Sequence, residues 1–196
     1  MTSRIVMPYR EENGRKVIEL AVHELPQLFN TFDPAPFHER DLDDEAEAYL
    51  VSAAREIGPH HRLKLRIHVE EGVAEGLSTE TILSIHNFFQ YRADMLRREL
   101  RLLFRRGRMS LLIGLVFLSS TIAAQQAVSA LFGDSAVTLT IREWIVICGW
   151  VAMWRPFEIF LYDWWPIVRD IRIHQRLAEM EIEVCTAKGE PKRAPG

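Results

Sequence analysis

Trp144–Pro166, WIVICGWVAMWRPFEIFLYDWWP, decides how the rest of the chain reads. All five tryptophans of the protein lie in it, at 144, 150, 154, 164 and 165. It also carries Phe157, Phe160 and Tyr162, and the charges Arg155, Glu158 and Asp163. Indole rings settle at the headgroup level of a bilayer, and charges are tolerated there when they reach water or a partner. The mixture predicts a helix leaving a membrane, with Trp150, Trp154, Trp164 and Trp165 as interface aromatics.

Upstream, Ser110–Phe132 is 23 residues without a charge. A hydrocarbon core about 30 Å thick needs that length at about 1.5 Å per residue. Gly133–Thr140 is the only polar break before the next apolar run. The prediction is a tight hairpin: a first transmembrane helix over 109–132, a short external loop over 133–140, and a second transmembrane helix with a Trp-rich interfacial segment over 141–168. Pro156 has no amide to donate and biases Arg155 away from helix, so the second span should kink or end there. Two readings stay open. In one, 137–155 spans and 156–169 lies along the interface, with Phe157, Phe160, Leu161, Trp164 and Val168 on one face. In the other, a kinked helix continues to about 163 and holds Arg155 and Glu158 inside the bilayer. The aromatic clustering favours the first.

Charge sets the orientation. Residues 92–108 hold seven arginines against Asp94 and Glu99, and Arg169, Arg172 and Arg176 follow the second span. The hairpin loop has no Lys or Arg. By the positive-inside rule both termini are cytoplasmic. The default role of Arg97, Arg98, Arg101, Arg105, Arg106 and Arg108 is attraction to anionic headgroups, about 1 kcal/mol each near the surface. Net charge is −3, which gives no global basic field for nucleic acid.

The soluble part reads as a small α/β domain of about three strands and two helices. Residues 1–15 are polar and expected to be loose. Lys16–His23 predicts a strand, and 28–44 a loop. A helix should start at Asp43 or Asp44 and stop at Gly58, with Ala46, Tyr49, Leu50, Ala53 and Ile57 buried. Arg62–Glu70 is the clearest strand, with Leu63, Leu65, Ile67 and Val69 alternating against Arg62, Lys64, Arg66 and His68. Ser78 or Thr79 should cap the next helix, whose juxtamembrane part is Arg-rich. Domain 16–108 would be completed by 169–187, where Glu179, Glu181 and Glu183 alternate with Met180, Ile182 and Val184. Those acids are expected to face Arg62, Lys64 and Arg66 across paired strands, each pair contributing about 0.2–1 kcal/mol. The tail 188–196 is disordered by composition. The fold class is therefore an α+β membrane protein, its cytoplasmic domain interrupted by an inserted transmembrane hairpin.

Chemistry is sparse. Cys148 and Cys185 make no disulfide framework, and MTSRIVMPYR lacks the apolar core of a signal peptide. His60, His61 and His68 are close in sequence, and His38 and Glu39 precede Asp41, Asp43 and Asp44. No recognised metal-ligand spacing, phosphate loop or nucleophile motif occurs. No catalytic residue, metal or cofactor is assigned. In the membrane part, Arg155, Glu158 and Asp163 form an interface charge cluster with Arg105 and Arg108. It reads as a salt-bridge clasp in preference to a proton relay, because the charges sit toward one end of the span. On the first span Ser119, Ala123 and Ala127 make a small-residue stripe, and Thr121, Gln125 and Ser129 a polar one. Both types mediate helix packing, against the second span or another copy.

The pieces FNTFDPAPFHERDLDDEAEAYLV, RRELRLLFRRGR and GWVAMWRPFEIFLYDWWPI resemble those of an uncharacterised family of small bacterial inner-membrane proteins with two predicted spans. WRPFEIFLYDWWP is the most specific part. The resemblance implies a bacterial inner membrane and two spans, and carries over no catalytic residue. The expected function is a non-enzymatic, membrane-anchored interaction protein that associates with itself or a larger membrane protein through its hairpin. The alternatives are an ion or proton transport or sensor component using the intramembrane charges, and a membrane-tethered metal-dependent hydrolase using His38 and the neighbouring acids.

Overall fold

The computed structural model describes residues 9–30, 40–70, 77–133 and 135–186. The chain is mixed α/β, with a four-stranded sheet and long helices. It divides into two compact units, one of Met1–Met95 with Asp170–Gly196, the other of Leu96–Arg169.

The first unit holds the sheet. Strand β1 is Glu11–Glu12, β2 Arg15–Val22, β3 Arg62–Val69 and β4 Glu181–Thr186, in the order β1-β2-β3-β4. β1 lies inside the segment expected to be loose. Asn13 and Gly14 both take positive φ, 51° and 74°, the conformation a two-residue hairpin with Glu12 opposite Arg15 requires. The Asn-Gly pair was the signal for this strand. β2 runs parallel to β3, and β3 parallel to β4. Parallel neighbours need long crossovers. Helix α1, Asp44–Ile57, lies in the first crossover.

Asp43 caps α1, its carboxylate accepting from the Glu45 amide, and Gly58 ends it with φ 81°. Leu50, Ala53 and Ala54 are the buried residues of α1. Tyr49, expected inside, is exposed and donates its hydroxyl to the Glu19 carbonyl at 3.1 Å. The core joins Ile18, Leu65, Ile67, Leu50, Ile85, Phe89, Ile173 and Leu177. Glu179, placed in the last strand by its alternation, precedes β4; it continues the end of the helix before it, its amide donating to the Gln175 carbonyl. Arg62 is level with Arg15 of β2.

Helix α2 is Leu77–Phe132, 56 residues without a break. Gly107 does not interrupt it, and Ser78 and Thr79, expected as caps, are already helical. α3 is Ala136–Glu158, capped by Ser135. The connection predicted over 133–140 is shorter, because Ser135 supplies the oxygen that starts the next helix five residues earlier. Helix continues through Pro156, so this proline does not end it. A π-helical turn, Ile159–Asp163, follows, and then α4, Trp164–Ala178. Beyond the proline the ladder resumes, and the Ile159 amide donates to both the Arg155 and Pro156 carbonyls. Residues 156–168, expected as a separate interfacial helix, belong to this continuous helical run. The tail 188–196 lies outside the described residues.

Candidate functional site

In the second unit α2 and α3 pack through glycines. A Cβ on Gly107 would sit 2.8 Å from Ile159 Cγ2 and 3.2 Å from Phe160 Cζ. One on Gly114 would sit 2.9 Å from Met153 Sδ and 3.2 Å from the Ala152 carbonyl oxygen. On α3, a Cβ at Gly149 would lie 2.5 Å from Thr121 Oγ1 and 3.0 Å from Leu118 Cδ1. Gly107, Gly114 and Thr121 are seven residues apart, two helical turns, so they form one seam. Without side chains at the glycines the backbones approach closely, the arrangement by which helices associate in lipid. Thr121 is buried at 8 % exposure and returns its hydroxyl to the Leu118 carbonyl at 2.8 Å, so the seam holds no unpaired polar group there.

Among the residues expected to pack, Thr121 is in this seam and Gln125 is half-buried. Ser119, Ala123 and Ala127 are exposed. The seam was legible only as the spacing of Gly107, Gly114 and Thr121. Glycines add no side chain to an apolar or polar stripe, which hid it.

The charge cluster closes on one helical run. Arg155 Nη1 donates to Glu158 Oε2 at 3.1 Å and lies 3.5 Å from Asp163 Oδ2. The other Glu158 oxygen accepts from Trp154 Nε1 at 2.9 Å. Glu158 is one turn from Arg155. Asp163 is eight residues away, which in an unbroken α-helix would rotate it off the line. A π turn spends one extra residue, so eight residues complete about two turns and Asp163 returns beneath Arg155. Arg105 and Arg108, assigned to this cluster from sequence, are exposed and make no ion pair with it among the described residues. Arg155 satisfies both acids first.

Trp150, Trp154 and Trp165 are exposed, as is Trp144. Trp164 is half-buried, donates Nε1 to the Phe160 carbonyl at 2.9 Å and stacks at a tilt on Trp165. Leu112, Ile113, Leu115, Val116 and Phe117 are exposed along α2. Two helical runs, Leu77–Phe132 and Ala136–Ala178, are long and apolar enough to cross a membrane. Only 11 % and 17 % of their most apolar windows is buried, so neither window is a globular core.

The first unit carries a ladder of ions on one sheet face. Lys64 is level with Glu181 and Arg66 with Glu183. Lys64 Nζ lies 3.2 Å from Glu181 and 2.9 Å from Glu183. Arg66 holds Glu183 at 2.9 Å and reaches over β2 to Glu12, donating to both its oxygens at 3.0 and 2.6 Å. Arg15 of β2 pairs with Glu181. One guanidinium therefore links the two outer strands. Hydrogen bonds from Lys64 and then Arg66 hold the Glu183 carboxyl down at about 2, and Arg66 holds Glu12 below the usual carboxylate range. The Arg66 guanidinium is pushed up by its bonds to Glu12 and Glu183.

Among the described residues no three His, Cys, Asp or Glu side chains gather as metal ligands would. His38 and Glu39 lie outside the described residues, and Asp43 serves as a helix cap. His61 offers its carbonyl to Arg176 at 2.7 Å. Cys148 and Cys185 are free thiols. No protein-family model, curated protein or solved structure matches this chain.

Proposed function

We propose that the protein is a membrane-anchored, non-enzymatic interaction protein of a bacterial inner membrane, with both termini cytoplasmic. It presents the sheet unit to the cytoplasm and associates through its hairpin. The observation that carries this reading is the exposure of the apolar windows of both long helices. A surface of that extent is covered by lipid or by other protein. The parallel pairing of β3 with β4 supports it further, since the hairpin then leaves and rejoins one sheet. The positive-inside balance supports the orientation, and the likeness of WRPFEIFLYDWWP to small inner-membrane proteins supports the compartment.

Ser119, Ala123 and Ala127, exposed and small, are the face offered to a second copy or a larger membrane protein. The Arg155 cluster pairs its one cation with both acids within one helical run, which favours a structural role over charge movement.

The test is extraction and mass. The full chain should resist carbonate extraction from membranes. In gentle detergent it should run as a defined homo-oligomer or with one dominant membrane-protein partner. A chain washed off by carbonate, or a bare monomer at every detergent concentration, overturns the reading.

A further inference from the structure

We infer that one face of α2 in the second unit is a binding site for a single anionic phospholipid, its phosphate held by Arg105 and Arg106 and its acyl chain laid along Met109 and Ile113. The inference rests on the membrane reading above. A shallow, open depression of about 480 Å³ lies there, lined by Leu102, Arg105, Arg106, Met109, Ser110 and Ile113. The residues recur at three and four positions, so they line one face of the helix for three turns. Both arginines are exposed, and neither makes an ion pair among the described residues. Several cations of the first unit behave differently: Arg15, Lys16, Arg55, Lys64, Arg66 and Arg92 each have a carboxylate. From Leu96 to Arg108 the only acid is Glu99. Both guanidiniums are therefore open to an anion from outside the chain.

The order of the lining identifies that anion. A guanidinium fork matches two phosphate oxygens, and Ser110 adds a hydroxyl one turn on. Met109 and Ile113 follow, where the uncharged run toward Phe132 begins. After Leu102 the lining passes from the two charges to Met109 and Ser110 on the next turn and then to Ile113, the direction of a phospholipid from headgroup to tail. Inorganic phosphate would use the first half of the depression and leave the second empty. Diffuse attraction of basic residues to a membrane needs no depression and would treat Arg98 and Arg101, also exposed, as equivalent.

The test uses the full chain purified in detergent, loaded with phosphatidylglycerol and reconstituted into phosphatidylcholine nanodiscs, with retained phosphatidylglycerol counted by native mass spectrometry. The wild type should retain one molecule. The double variant Arg105→Gln with Arg106→Gln should retain at least about tenfold less. Arg98→Gln with Arg101→Gln, the same loss of charge, should retain it as the wild type does. Excess inorganic phosphate should leave retention unchanged. Equal loss in both doubles, loss in neither, or displacement by phosphate overturns the site. Incorporation of all variants into the nanodiscs keeps the membrane reading intact in that event, and circular dichroism establishes that each is folded.

Discussion

Gly114 of α2 packs against the carbonyl of Ala152 on α3, and that carbonyl is the one Pro156 leaves without its helical donor. A side chain at 114 would meet the oxygen at 3.2 Å and Met153 Sδ at 2.9 Å. The glycine thus brings a Cα–H toward an acceptor that the proline has freed, a contact seen where helices approach closely.

Gly114→Leu should therefore separate the two helices. Backbone at 152 cannot yield as a side-chain tip can, and overpacking of this kind costs about 1–3 kcal/mol. Thermal unfolding in detergent should show a lower midpoint for Gly114→Leu than for Ala124→Leu, an exposed site on the same helix. Equal midpoints would remove Gly114 from the seam.

Gly149 makes a rescue possible. Gly149→Ala places its methyl 2.5 Å from Thr121 Oγ1, so it should destabilise the hairpin by about 1–3 kcal/mol. Thr121→Ala removes that oxygen. The double variant should recover much of the loss, with a coupling energy of about 0.5 kcal/mol or more. Strict additivity in the same thermal assay would contradict the contact.

What the residues disclosed depended on whether the signal was local. Strict alternation in Arg62–Val69 was enough to place β3, because a strand with one wet face has a period of two. The cap at Asp43 and the stop at Gly58 were equally local. The Asn13–Gly14 hairpin was local too, but a two-residue strand has no period to notice. Pro156 misled, since its cost in a helix depends on what meets the freed carbonyl, and Gly114 is 38 positions upstream. The Arg155 cluster was visible as three residues, yet its closure needs a π turn that no composition announces. The carboxylate ladder was foreseeable as opposite charges, while its reach to Glu12 required β1 to exist.

Acid should weaken the sheet unit through Glu183. Its folded pKa of about 2 lies below the ordinary glutamate value of 4.5. A depressed carboxylate contributes stability that is complete above the unfolded value and lost as pH falls through the folded one. Stability of the sheet should decline between about pH 4.5 and about pH 2, and Glu12, lowered by Arg66, adds to the same slope. Glu183→Gln should flatten the dependence. Hydrogen exchange at the β3 and β4 amides as a function of pH measures it, and an unchanged slope in Glu183→Gln would assign the acid sensitivity elsewhere.

A chain stopped after Met180 tests whether the end of the sequence completes the domain begun by β2. Such a chain keeps buried Met180 but loses Ile182 and Val184, which pack against the core. It also leaves β3 as an unpaired edge, and Lys64 and Arg66 without Glu181 and Glu183. Two half-buried aliphatic side chains alone contribute about 2–3 kcal/mol. That is a large share of the roughly 5–15 kcal/mol that holds a domain folded. Limited proteolysis should cut the truncated chain within β2, α1 or β3 at protease levels the full chain survives. Glu181→Gln with Glu183→Gln, which keeps the strand and removes only its charges, should fall between the two. If the truncated chain resists as the full one does, β4 does not complete the sheet, and the hairpin is not an insertion between its strands.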